Sequence, residues 1–153
     1  MRAQFQRESK RPQYFTMFYG VLDLRSRTLR FVSAGHPPAI LVSRQGQASK
    51  LPCEGFPVGL VEEAEYEGQE HVLEPGDRLY VYTDGITEAD REPEGELGVE
   101  RLSAAVHAAR AEPLEESVAG VRRLVEQWCE GGEPGDDVSV LALEVTTDLR
   151  PEA

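Results

Sequence analysis

Two acidic turns carry the residues best suited to chemistry, Tyr82-Thr83-Asp84-Gly85-Ile86-Thr87-Glu88 and Gly135-Asp136-Asp137-Val138-Ser139-Val140. The first closes an apolar, strand-like run, Leu79 to Tyr82, and the second opens another, Val138 to Val145. Carboxylates at the ends of neighbouring core strands can converge on one point, and oxygen-only ligand sets of that kind suit Mg²⁺ or Mn²⁺. Asp84, Asp136 and the adjacent Asp137 are the candidate ligands. Gly85 is a weaker one, because a glycine after the Asp lets the backbone turn sharply enough for its carbonyl to face a cation. Two such ions about 3.5–4 Å apart can acidify a shared water and offset charge on phosphoryl oxygens, so the pattern reads as part of a metal-dependent hydrolase. Taken singly, neither turn says this: Asp-Gly is an ordinary turn dipeptide, and Asp136-Asp137 fits a solvated turn. Only their combination, each abutting an apolar strand, sets the hydrolase reading level with the structural one.

The elements that must position these turns follow from hydrophobic periodicity. Tyr14 to Leu24 reads as a strand, with Phe15, Met17, Tyr19 and Val21 alternating with Thr16, Phe18 and Gly20. Leu29 to Ala34 and Ala39 to Ser43 are further strands, separated by Arg25-Ser26-Arg27-Thr28 and by Gly35-His36-Pro37-Pro38, with another turn at Arg44-Gln45-Gly46-Gln47. Leu51 to Glu67 is irregular. Glu70 to Leu73 is a short strand, and the Pro75-Gly76-Asp77 turn is expected to join it to Leu79–Tyr82 as a hairpin. Asp90 to Glu96 reads as a loop. Val99, Leu102, Val106 and Ala109 recur at helical spacing, as do Leu114, Val118, Val121, Val125 and Trp128. The second helix has Pro113 and the acidic pair Glu115-Glu116 at its start and Gly131-Gly132 at its end. Strands, then helices, then a strand predict an α+β domain with helices on the outer face of antiparallel sheet.

Length and charge narrow the classes. The 153 residues suit one domain of about 100–200 residues. A formal net charge of −12 argues against nucleic acid as a partner, since phosphate backbones repel such a surface. Two cysteines, Cys53 and Cys129, form no spaced cluster, so neither a zinc site nor a disulfide framework is indicated, and a reducing, cytoplasmic location is expected. No apolar run reaches the ~18 residues of a membrane span, and Met1 to Arg11 lacks the apolar region of a signal peptide.

A series of segments in order resembles the metal-dependent protein phosphatase (PPM) family, in the bacterial branch named for the stage II sporulation protein E phosphatase. The segments are Phe15-Thr16-Met17-Phe18-Tyr19-Gly20-Val21-Leu22-Asp23, Ala34-Gly35-His36-Pro37-Pro38, Gly55-Phe56-Pro57-Val58-Gly59-Leu60, Pro75-Gly76-Asp77, Tyr82 to Ala89, Leu97-Gly98-Val99-Glu100-Arg101-Leu102 and Asp136-Asp137-Val138-Ser139. The resemblance implies an antiparallel β-sandwich flanked by helices (αββα) and a two-metal centre of Mn²⁺ or Mg²⁺. It implies hydrolysis of phosphoserine or phosphothreonine on proteins, with a phosphorylated regulator such as an anti-sigma-factor antagonist as the partner. Asp84 and Asp136 correspond to metal ligands, with Asp137 beside them. The family also carries a Gly-Asp-x-x-Gly segment ahead of the Phe-Thr-Met strand, whose Asp bridges the metals, and Met1 to Gln13 contains no Asp. The resemblance therefore covers the C-terminal part of the domain. It implies an N-terminally truncated fold, with a polar segment at 1–13, a partial phosphatase domain at 14–146 and a tail at 147–153. Exposed sheet edges and uncovered apolar faces are expected, which a homodimer could cover.

His36, in the Gly-His-Pro-Pro turn, is a candidate for lining the metal cleft, against the alternative of a histidine that fixes the turn. His71 and His107 show no partner pattern and read as surface. Glu88 and Asp90 read as a solvated loop, Trp128 as core, and Arg25, Arg27 and Arg30 as a solvated hairpin. Two other functional classes stay in view. One is a non-enzymatic partner-binding module with vestigial acidic turns, and the other is a two-metal phosphoesterase acting on small molecules.

Overall fold

The computed structural model describes residues 13–146, so the polar segment expected before Gln13 and the tail expected at 147–153 lie outside the described residues. In chain order the elements are β1 (Met17–Asp23), β2 (Thr28–Ala34), β3 (Ile40–Val42), β4 (Ala48–Lys50), β5 (Gln69–Val72), β6 (Arg78–Tyr82), α1 (Asp84–Thr87), β7 (Asp90–Arg91), β8 (Gly95–Glu96), α2 (Gly98–Ala108), a 3₁₀ turn (Ala109–Ala111), α3 (Leu114–Trp128) and β9 (Val140–Glu144). The chain divides into two units, Met1–His36 with Pro52–Val72 and Pro37–Leu51 with Leu73–Ala153. The α+β class with antiparallel sheets and helices is as the sequence predicts.

The first unit holds a three-stranded antiparallel sheet in the order β1-β2-β5. Its first hairpin turns where the basic stretch was expected to turn. Asp23 accepts hydrogen bonds from the Arg25 and Ser26 amides at 2.8 and 3.2 Å, and Arg27 takes a positive φ of 55°. Those amides favour the charged form and hold the Asp23 carboxyl below its usual range. The pairing Phe18↔Ser33, Gly20↔Phe31 and Leu22↔Leu29 puts Phe18 on the face of the buried Leu29 and Phe31, with the Phe18 and Phe31 rings stacked at 5.4 Å. The alternating row Phe15, Met17, Tyr19 and Val21 is exposed. Alternation thus locates the strand, while pairing decides which row is buried. Two of the family-like segments meet in this unit. Gly35 donates its amide to the Gly55 carbonyl at 2.9 Å, and a Cβ on Gly35 would sit 2.5 Å from Pro57 Cγ. With φ at +67°, Gly35 is a position where only glycine is free of both strain and clash.

The second unit holds a four-stranded sheet in the order β4-β3-β6-β9, all antiparallel. Central β6 is almost wholly buried, and Ile40, Val42, Tyr80 and Tyr82 share the face that packs with Leu102 and Val106 of α2 and Val121 and Val125 of α3. Ser117, Val121 and Val125 recur at four-residue spacing, so one stripe of α3 is buried while Glu115, Glu116 and Arg122 stay exposed. The one polar residue of that stripe is satisfied, since Tyr80 Oη and Ser117 Oγ hydrogen-bond at 2.8 Å in the interior. Leu41 and Leu79, on the opposite face, are buried as well. Among the described residues strand β9 pairs with β6 alone and leaves Leu141 70% exposed.

Two expectations are corrected. The hairpin expected across Pro75-Gly76-Asp77 does not form, because β5 pairs with β2 and β6 pairs with β3 and β9. The turn has other partners: Asp77 accepts from the Glu74 and Arg44 amides, each at 2.9 Å, and Gly76 N donates to Val145 O. The stretch read as the loop Asp90–Glu96 contains the short β7–β8 ladder, and β4 and α1 were not expected at all. Buried Arg78 was also missed. It donates to Glu144 Oε2 at 2.8 Å, to Ala109 O at 3.2 Å and to Glu112 O at 2.6 Å, tying β6 to β9 and to the α2–α3 connection.

Candidate functional site

Strands β6 and β9 bring the two acidic turns together. Their register pairs Tyr82 with Val140, so Thr83 and Ser139 are the next residues to face each other. Thr83 leaves β6 in extended conformation (φ −81°, ψ 154°), and its amide donates to Ser139 O at 3.0 Å. Its hydroxyl donates to Asp137 O at 2.8 Å and accepts from the Ser139 amide at 2.9 Å. Asp84 then opens α1, whose first bonds run from Ile86 N to Thr83 O and from Glu88 N to Asp84 O.

Gly85 closes the gap between the turns. It is buried, and a Cβ there would lie 2.6 Å from Asp137 O and 3.1 Å from Asp136 O. The backbone of the second turn therefore rests on the bare Cα of the first. This close approach gives Gly85 a structural reason to be glycine, alongside its weaker candidacy as a carbonyl ligand.

The carboxylates are held by their own turns. Asp84 Oδ1 accepts the Gly85 amide at 3.1 Å, and Asp136 Oδ1 accepts the Asp137 amide at 2.7 Å. Asp84 is half-buried, whereas Asp136 and Asp137 are exposed. Among the described residues none of the three enters an ion pair, so their negative charge is left for a mobile cation or solvent. The donors are hard oxygens, the kind that Mg²⁺ and Mn²⁺ take. Their number is short: among the described residues no group of three or more His, Cys, Asp or Glu is gathered to hold a metal ion. The donors suit such a cation in kind, and fewer than three of them are gathered among the described residues.

The other candidates fall elsewhere. His36 lies in the first unit with its ring 6.2 Å from that of Phe18, and the acidic turns lie in the second. Glu88 and Asp90 are exposed. His107, read as surface, is half-buried, and its Nε2 lies 2.7 Å from the Gly46 carbonyl. Trp128 packs at the edge of the core, donates Nε1 to Gly95 O at 3.2 Å and carries Arg101 over its ring at 4.6 Å. Arg30 is paired with Glu70 on the exposed sheet face. Thr83 is the site residue that sequence reasoning passed over. Its only signal was a hydroxyl residue at the strand end immediately before Asp-Gly.

Comparison with known proteins gives a consistent result. A family model described as stage II sporulation protein E matches residues 1–146. The Synechocystis protein IcfG is 30% identical over 89 residues, covering 58% of this chain and 14% of that protein. The phosphoserine phosphatase RsbP of Bacillus subtilis is 29% identical over 86 residues, covering 56% of this chain and 21% of that protein. The chain thus spans a quarter or less of the length of these curated relatives. Among solved structures, the phosphatase domain of the cell-fate determinant SpoIIE from Bacillus subtilis (Mn presoaked) superposes with a TM-score of 0.72 at 18% identity, covering 98% of this chain and 65% of that one.

Proposed function

The chain belongs to the stage II sporulation protein E family within the metal-dependent protein phosphatases, and on that premise we propose that it carries the metal-binding turns of a phosphoserine/phosphothreonine protein phosphatase. The observation that carries this reading is the lashing of Thr83-Asp84-Gly85 to Asp136-Asp137, which juxtaposes two turns whose carboxylates enter no ion pair among the described residues. Asp84 and Asp136 would hold Mn²⁺ or Mg²⁺, with Asp137 and the Gly85 carbonyl as further oxygen donors. When bound, such ions offset phosphoryl charge and acidify water. In the hydrolysis itself, water oxygen bonds to phosphorus as the bond from phosphorus to the seryl or threonyl oxygen breaks, and a proton passes to that oxygen. The chain's contribution is to hold its carboxylates by backbone bonds, so that they need not reorganise when a cation arrives.

The donor set is completed by a carboxylate from outside the described residues, and the described residues alone bind metal weakly. The substrate is a phosphorylated regulatory protein such as an anti-sigma-factor antagonist, met in the cytoplasm. Among the described residues no helix is long and apolar enough to cross a membrane. The test is Mn²⁺-dependent phosphate release from a phosphoserine peptide by the protein that carries this chain, compared with Asp84→Asn and Asp136→Asn. Each substitution is expected to reduce release at least about a hundredfold, and undiminished release from both would refute the assignment.

A second reading, a partner-binding module without activity, draws on the same shortage of ligands. Calorimetric titration of the protein that carries this chain with Mn²⁺ separates the two, since tight two-site binding contradicts the module.

A further inference from the structure

We infer that Thr83 is a positioning residue for the cation site, acting through the backbone of the second acidic turn. The inference rests on the reading of Asp84 and Asp136 as metal ligands. A threonine hydroxyl can donate once and accept, and here both capacities are used on residues 54 and 56 positions away: it donates to Asp137 O at 2.8 Å and accepts from Ser139 N at 2.9 Å. The Thr83 amide adds a third bond, to Ser139 O. The residue before Asp84 therefore holds the carbonyl of the residue after Asp136 and both backbone polar groups of Ser139. The carboxylates themselves share no hydrogen bond across the gap; each accepts from an amide of its own turn. Their separation is accordingly set by the backbone, and Thr83 with Gly85 sets the backbone: the hydroxyl draws the second turn in, and the bare Cα of Gly85 limits how close it comes.

A merely structural threonine at a strand end would affect folding and nothing else. Thr83 bonds to the two residues that bracket Val138, directly after the Asp136-Asp137 pair, so losing its hydroxyl frees that turn while leaving the β6–β9 ladder intact. The expected consequence is weaker cation binding at nearly unchanged stability.

The experiment is Mn²⁺ titration of the protein that carries this chain, followed by electron paramagnetic resonance of the free ion, for wild type, Thr83→Val, Thr83→Ala, Thr83→Ser and Asp84→Asn. Thr83→Val keeps the shape and removes both hydrogen bonds, and its Kd is expected to rise about 10- to 100-fold. Thr83→Ser keeps the hydroxyl and should stay within about threefold of wild type. Amide exchange at Ser139, measured without metal, should accelerate in Thr83→Val and not in Thr83→Ser. Should Thr83→Val fail to fold, Thr83→Ala carries the same expectation. Unchanged Mn²⁺ affinity in the hydroxyl-less variant, with binding abolished in Asp84→Asn, overturns the positioning role and leaves the metal reading standing. No Mn²⁺ uptake by wild type, or unchanged uptake in Asp84→Asn, overturns the metal reading and this inference with it.

Discussion

Replacing Gly85 with alanine tests the close approach on which the site depends. Glycine in a helical segment ordinarily costs up to about 1 kcal/mol relative to alanine, so propensity alone predicts that Gly85→Ala stabilises α1. No positive φ at Gly85 opposes the change. Packing predicts the reverse. The new Cβ would lie 2.6 Å from Asp137 O, and ordinary contact begins at 3.4 Å, so the carbonyl must retreat by about 0.8 Å. That carbonyl is the acceptor of the Thr83 hydroxyl, and Asp136 O stands 3.1 Å away on the same side, so the retreat has to move the turn as a whole. Overpacking of this kind costs about 1–3 kcal/mol, which outweighs the propensity gain and leaves a net loss of up to about 2 kcal/mol. For a chain of this size, each kcal/mol lost lowers the thermal midpoint by roughly 2–4 °C. Thermal unfolding followed by circular dichroism without metal measures it. Gly68→Ala is the control, since nothing lies within 4 Å of a Cβ there and stability should not fall. A Gly85→Ala protein as stable as wild type, or more so, would refute the contact and with it the argument that the first turn limits the second.

Two further predictions concern the scaffold. Arg78→Met removes the buried guanidinium from Glu144 and from the Ala109 and Glu112 carbonyls; because Glu144 keeps 31% exposure, the expected loss is about 2–3 kcal/mol in urea unfolding, and a loss below about 1 kcal/mol would contradict the clamp. The Arg25 and Ser26 amides hold the Asp23 carboxyl below the usual aspartate range in the folded protein, so its contribution to stability is present above the unfolded chain's value and is lost as pH falls through the lower folded value. Asp23→Asn should flatten that part of the acid limb, and side-chain NMR titration of Asp23 should give a pKa under the reference carboxylate's.

Much of this fold is legible because burial leaves a periodic trace. The α3 stripe of Val121 and Val125 and the apolar run of β6 were located from spacing alone, since a helix packed on one face and a central strand each repeat their contacts at fixed intervals. Pairing leaves no such trace. Pro75-Gly76-Asp77 looks like a hairpin turn because its backbone requirements are those of one, yet its polar groups are used by Arg44 and Val145, which are remote in sequence. The exposed row of β1 shows the same limit, because alternation is symmetric between faces until a partner strand breaks the tie. The family-like segments added what periodicity could not, the proposal that Asp84 and Asp136 hold metal.

The acidic turns sit between these cases. Their residue types point to a hard cation, but about fifty residues separate them, and composition cannot say that they touch. The β6–β9 register does. Once Tyr82 stands opposite Val140, Thr83 meets Ser139 and the two turns are neighbours whatever their composition. A slip of one residue would put a side chain of the opposite face at each of these positions and separate the hydroxyl from both of its partners. Arg78 and Glu144 pair at the other end of the same two strands, so a clamp remote from the carboxylates opposes that slip. The site is therefore specified twice, by an ion pair at one end of the ladder and by the Thr83 hydroxyl and the bare Cα of Gly85 at the other. The acidic residues occupy the ends of a frame that other residues hold.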